Sequence, residues 1–171
     1  MLSRLIAVAM VIALASPGYS ETWGTITASI GGEAERTWFI TGEGDESQSS
    51  FIQVMPGKLS AASFILWGTA DEPGDENWRD VMHLRATLMP APGGFAAVSN
   101  LDYMEEFNTK YWTADAENSE VVLSVVEQID GNLHVAGTFT AEAIYAEGYE
   151  NIDPTRTTTI VGRFDVTLPM D

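Results

Sequence analysis

The sequence predicts an all-β fold, an antiparallel β-sandwich of about eight to nine strands, with a lipocalin-like β-barrel as the alternative. From position 23 onward apolar residues recur at a spacing close to two, the signature of half-buried strands. Glycine- and proline-containing turns interrupt this alternation at short intervals. No segment carries an amphipathic stripe of period 3.6. The sandwich is preferred because several strands are short and the loops differ widely in length.

The first strand covers 23–30, with Gly24, Ile26, Ala28 and Ile30 on one face and Thr25, Thr27 and Ser29 on the other. Gly31-Gly32 then turns the chain, since glycine takes the positive φ that tight hairpins need. The return strand, 34–41, centres on Trp38-Phe39-Ile40. A polar loop at 42–50 leads to a short strand at 51–55, and Pro56-Gly57 turns the chain again. The run 59–67 is apolar on both faces, which predicts burial deep in a sheet or beneath another layer.

After an acidic loop at 68–77, the segment 78–89 alternates. Trp78, Met82, Leu84, Ala86 and Leu88 share one face, while Arg79, His83, Arg85 and Thr87 share the other. Pro90-Ala91-Pro92-Gly93-Gly94 ends it. A strand follows at 95–103, and 104–118 reads as an irregular stretch with room for a turn or two of helix. The last third is the most regular. Val121, Leu123, Val125 and Ile129 form one strand face, and Asp130-Gly131-Asn132 turns the chain into Leu133, Val135, Gly137, Phe139, Ala141 and Ala143. A loop at 146–154 precedes the final strand, with Ile160, Gly162, Phe164, Val166 and Leu168 inward. These three make an antiparallel meander with one buried and one wet face.

The first 20 residues have a different character. Arg4 precedes an apolar run, 5–15, followed by Ser16-Pro17-Gly18-Tyr19-Ser20. This is the pattern of a signal peptide cleaved after Ser20, leaving 21–171 as a single all-β domain, periplasmic or secreted. As a helix the run reaches only ~16 Å, about half of a hydrocarbon core, and no later segment is apolar enough to span a membrane. Cysteine is absent from the 171 residues, which excludes disulfides, thiolate metal sites and cysteine nucleophiles. All 25 acidic residues fall after Ser20, against seven basic ones there. So negative a surface repels phosphate backbones, and nucleic acid is excluded as a partner. Adaptation to salty surroundings also accounts for the charge.

Two stretches resemble small exported bacterial all-β domains of unknown function. One is Gly24-Thr25-Ile26-Thr27-Ala28 running through Gly31-Gly32 to Arg36-Thr37-Trp38. The other is the pair Gly137-Thr138-Phe139-Thr140-Ala141 and Gly162-Arg163-Phe164-Asp165-Val166. The resemblance covers about a quarter of the chain after Ser20. It implies an exported sandwich-like domain whose closing strands pair, and it transfers no catalytic or binding residue.

Four groups are candidates for chemistry. Asp71, Glu72, Asp75, Glu76 and Asn77 bring five oxygen-bearing side chains together, a donor set suited to calcium, although Pro73 and Gly74 break EF-hand spacing and ordinary turn chemistry explains them as well. His83 and His134 both fall on polar strand faces without zinc-site spacing. Arg79, His83 and Arg85 form a cationic stripe that would hold an anion, or else pair with acids such as Glu127 or Glu142 on neighbouring strands. Tyr103, Phe107, Tyr111 and Trp112 gather rings in the least regular segment, where they would line a ligand mouth.

Catalytic signatures are missing: there is no G-x-S-x-G elbow and no phosphate-cradling glycine loop. The sequence therefore points to an exported, non-enzymatic domain that binds a small ligand or an envelope component. The alternatives are a lipocalin-like carrier of apolar ligands and an exported hydrolase using two carboxylates.

Overall fold

The computed structural model describes residues 21–42, 49–53, 62–70, 79–107, 109–148 and 151–169. They form ten strands: β1 Glu21–Ile30, β2 Arg36–Gly42, β3 Ser50–Gln53, β4 Ala62–Thr69, β5 Arg79–Ala91, β6 Gly94–Glu106, β7 Lys110–Ala114, β8 Ser119–Ile129, β9 Asn132–Glu147 and β10 Asn151–Leu168. The sheet runs β10-β1-β2-β4-β5-β6-β7-β9, and β9 pairs back to β10, so the sheet closes as a ring. Each of these pairings is antiparallel. β3 shares an edge of β4 with β2, and β8 shares an edge of β9 with β7. The antiparallel all-β class expected from the alternation is the fold. Ring closure pairs both edges of the main strands, leaving β3 and β8 as the strands with a single partner among the described residues.

Alternation decides what fills the ring. β4 shows it plainly: Ala62, Phe64 and Leu66 are buried, while Ser63, Ile65 and Trp67 are half-buried on the outer face. The run that reads as apolar on both faces is thus sealed inside and partly covered outside. Opposite walls meet through rings. Phe64 on β4 lies 5.9 Å from Phe164 on β10, centroid to centroid, and Trp38 on β2 meets Tyr103 on β6 edge-on at 6.0 Å. Large aromatic side chains supply much of the burial that a core without disulfides needs.

The strands quoted for the resemblance pair with each other in register, Phe139 opposite Gly162 and Gly137 opposite Phe164. A Cβ on Gly162 would stand 2.5 Å from Phe139 Cζ and 2.6 Å from the Thr27 carbonyl oxygen. Only a bare glycine lets β10 lie this close to β1 beneath the opposing ring.

Several boundaries differ from the sequence reading. Among the described residues of 104–118 there is no helix: β6 runs on through Glu106, and β7 begins at Lys110. Its polar residues make a hairpin turn, tied by Thr109 N–H donating to the Glu106 carbonyl at 3.1 Å. A β-bulge between Leu123 and Val125 shifts the β8 register. Val126, in place of Val125, then packs on the core, and Ile129 is left 51% exposed. The loop expected at 146–154 shrinks, because β9 reaches Glu147 and β10 starts at Asn151. At the β8–β9 turn, Asp130 and Gly131 take the positive φ of 51° and 89° that a two-residue hairpin requires. The leader 1–20, the Pro56-Gly57 turn, Trp78 and the acidic group Asp71, Glu72, Asp75, Glu76 and Asn77 lie outside the described residues. Among the described residues no helix is long and apolar enough to cross a membrane.

Candidate functional site

Register builds a row of rings near the end of the ring where Gly31-Gly32 closes the β1–β2 hairpin. Tyr103 on β6 stands opposite Trp112 on β7, and Trp112 stands opposite Tyr145 on β9. Directly opposed residues share a sheet face. Tyr103 belongs to the core and Trp112 packs against it, so the three rings lie side by side on the inner wall. Trp112 and Tyr145 meet edge-on at 5.1 Å. At the same end the β6–β7 and β9–β10 turns are joined, with Gly148 N–H donating to the Thr109 carbonyl at 3.0 Å.

Two guanidinium groups lie on this row. Arg36 follows the inward phase of β2, two residues before Trp38, and sits 5.1 Å from the Trp38 ring centroid and 5.3 Å from that of Tyr103. Its Nη1 donates to both Asp80 carboxylate oxygens, at 3.0 and 3.2 Å, and its Nη2 donates to the Tyr103 hydroxyl at 3.0 Å. Asp80 takes a positive φ of 55°. Its backbone carbonyl accepts the Trp38 Nε1–H at 2.9 Å. Burial raises the Tyr103 phenol above the ordinary tyrosine value, and the Asp80 charge adds to this against the opposing effect of Arg36. Burial alone would lower the Arg36 guanidinium, but its hydrogen bond to Tyr103 and the neighbouring charges outweigh that and hold it raised.

Arg156 reaches the other end of the row. Its guanidinium lies 3.5 Å from the Tyr145 ring centroid and 5.6 Å from that of Trp112. A bulge puts it there: the β9–β10 register shifts between Asp153 and Thr157. Asp153 Oδ1 fixes the bend by accepting Thr155 N–H at 3.0 Å and the Thr155 hydroxyl at 2.6 Å. Those bonds, the side-chain one first, hold the Asp153 carboxyl below its usual range. Carboxylates rim the rings. Trp112 Nε1 donates to Glu105 at 3.1 Å, and the Tyr145 hydroxyl donates to Glu147 at 3.2 Å.

Of the four rings read from the sequence, the structure brings Tyr103 and Trp112 together. Phe107 instead packs edge-on against Trp67 at 5.7 Å, and the Tyr111 hydroxyl donates to the Gly148 carbonyl at 3.2 Å. Tyr111 neighbours Trp112 on β7, so it faces the opposite way. Arg36, Tyr145 and Arg156 are the residues that sequence reasoning missed. Tyr145 continues the inward phase of Leu133 to Ala143, and Arg36 that of Trp38, which are the signals available for them. Arg156 sits in a bulge and has no such signal.

The cationic stripe lies on the outer wall. Arg79 stands opposite Glu106, and Arg85 opposite Asn100. His83 is not paired with Glu127 or Glu142: its Nδ1 lies 3.0 Å from Asp102 Oδ2, and Thr113 donates to the other Asp102 oxygen at 2.6 Å. This chain cross-links β5, β6 and β7. His134 Nε2 lies 2.9 Å from Asp165, and Glu142 accepts the Thr159 hydroxyl at 2.8 Å. Among the described residues no group of three or more His, Asp or Glu side chains could hold a metal ion. An open depression beside the Gly31-Gly32 turn is lined by Ser29, Glu142, Thr157, Thr158, Thr159 and Val161.

No family model matches the chain, and neither a curated protein nor a solved structure matches it.

Proposed function

We propose that the chain is an exported, non-enzymatic domain that binds a small ligand at the aromatic end of its ring. The row Tyr103, Trp112 and Tyr145 carries this reading, because Trp112 is only partly buried and stays accessible between two buried rings. Ligand sites favour concave, ring-lined positions such as the mouths of closed sheets, with a few convergent polar groups. Here those groups are two guanidiniums and the carboxylates of Asp80, Glu105 and Glu147. The contacts Phe64–Phe164 and Trp38–Tyr103 occupy the space between opposite walls, which favours the end over an interior cavity of the carrier type. A phenol held above its ordinary pKa is a poor base near neutral pH, so Tyr103 suits positioning better than proton transfer.

Calorimetric and fluorescence titration against neutral sugars, small carboxylates and organic cations tests the reading. At least one class should perturb the Trp112 emission, and Trp112→Ala should abolish the response while leaving the far-ultraviolet spectrum intact. A flat response to all three classes would remove the support for small-ligand binding and leave an envelope component as the partner.

A further inference from the structure

We infer that the aromatic end takes an organic cation, of ammonium or guanidinium type, in the place that Arg156 now holds. The inference rests on the binding reading above and names its ligand class. Ring faces carry negative charge density and attract cations that lie over them, and the Tyr145–Trp112 pair already presents such a place. The field at this end points the same way. Glu105 and Glu147 hold the polar handles of the two rings, Asp153 closes the adjoining bulge, and the whole chain carries a formal net charge of −17. An anion would have to approach Arg156 past these carboxylates, against the sign of the protein's potential.

The two arginines of the row are held differently, and this decides which one a ligand replaces. Arg36 is fixed by hydrogen bonds to Asp80 and Tyr103 and closes the Trp38 side of the row. Arg156 is exposed, and its guanidinium is held by stacking on Tyr145 and Trp112. Among the described residues no hydrogen bond or ion pair engages its side-chain nitrogens, and its charge is felt by the neighbouring Asp153 carboxylate. Arg156 is therefore an internal occupant of a cation site, latched over the Tyr145 and Trp112 rings and released when a competing cation arrives. Its position in the Asp153–Thr157 bulge lets it swing aside without breaking the β9–β10 ladder on either side.

Tetramethylammonium and methylguanidinium chlorides, with sodium acetate and methyl glucoside as comparisons, are titrated at matched ionic strength into the full chain. The readout is the Trp112 indole N–H resonance, in the natural sequence and in Arg156→Ala, Arg156→Gln and Arg163→Ala. Both cations should shift this resonance. Removing a competitor held by exposed cation–π contacts to two rings should tighten their binding about fivefold in both Arg156 variants. Arg163→Ala, on the outer wall against Glu35, should match the natural protein. Equal affinity in the natural and Arg156 variants overturns the role of Arg156 as occupant. Shifts from acetate or glucoside, with none from the cations, overturn the cation class and leave the binding reading standing. No shift from any probe in any variant overturns both.

Discussion

The Asp80 backbone carbonyl accepts the indole N–H of Trp38 at 2.9 Å while the Asp80 carboxylate grips Arg36, two residues along the same strand. One residue in a left-handed conformation thus anchors both an aromatic and a cationic side chain at the aromatic end. Aspartate and asparagine tolerate this backbone region, whereas a β-carbon without a polar partner raises its cost.

Asp80→Asn keeps the backbone preference and loses the charge-assisted pair. Because both partners are more than a third exposed, solvent screening limits the loss to about 1 kcal/mol. Asp80→Ala adds the left-handed penalty and should lose about 2 kcal/mol. Urea denaturation with an unchanged m-value checks the order of the two.

Gly162→Ala tests the close approach of β10 to β1. With Phe139, Thr27 and Ala28 all within 3 Å of the added methyl, overpacking should cost about 3 kcal/mol. A thermal midpoint equal to that of the natural chain would contradict the packing described for the β1–β10–β9 wall.

Tyr103 makes stability fall on the alkaline side. Its folded pKa is raised, by burial first, so the unfolded chain gives up the phenolic proton before the native one does. The stabilising contribution is complete below the unfolded value of about 10 and is lost as pH rises through the folded value. Tyr103→Phe should flatten this part of the pH–stability curve, measured by urea midpoints across the alkaline range.

Asp153 behaves with the opposite sign. Its carboxyl is lowered chiefly by the hydrogen bonds from Thr155, so its contribution is present above the unfolded pKa and lost as pH falls through the folded one. Thr155→Ala removes the hydroxyl bond and should move the Asp153 carboxyl back up toward the ordinary value. A carbon-detected NMR titration of that side chain reads the shift, and an unmoved carboxyl would contradict the Asp153–Thr155 bend.

Phe64→Ala opens the middle of the ring, since Phe64 is fully buried and meets Phe164 across it. The expected loss is about 4 kcal/mol. A double-mutant cycle with Phe164→Ala should show coupling, because each ring fills space against the other.

Period-two alternation made the strands legible, most cleanly in β9 and β10, where the buried face of each could be named residue by residue. It failed where one extra residue enters a strand. The bulge at Leu123–Val125 exchanges Val125 for Val126 on the core side, and periodicity carries no mark of such a slip. It failed again at 104–118, because the acidic residues Glu105 and Glu106 conceal the end of one strand just before a hairpin. Two of the three rings of the aromatic row were visible, as Tyr103 and Trp112 lie in one ring-rich segment. Arg36, Tyr145 and Arg156 come from β2, β9 and β10 and reach the row only when the sheet closes. Their chemistry depends on pairing between distant strands, which no local pattern contains.

The account turns on whether ligand reaches the inner row at the Gly31 end, and one measurement addresses that directly: nuclear Overhauser contacts between the methyl protons of bound tetramethylammonium and the protein's aromatic protons. Contacts to Trp112 and Tyr145, with none to Trp67 on the outer wall, are the predicted result. Contacts to Trp67 and Phe107 with none to Trp112 would contradict it.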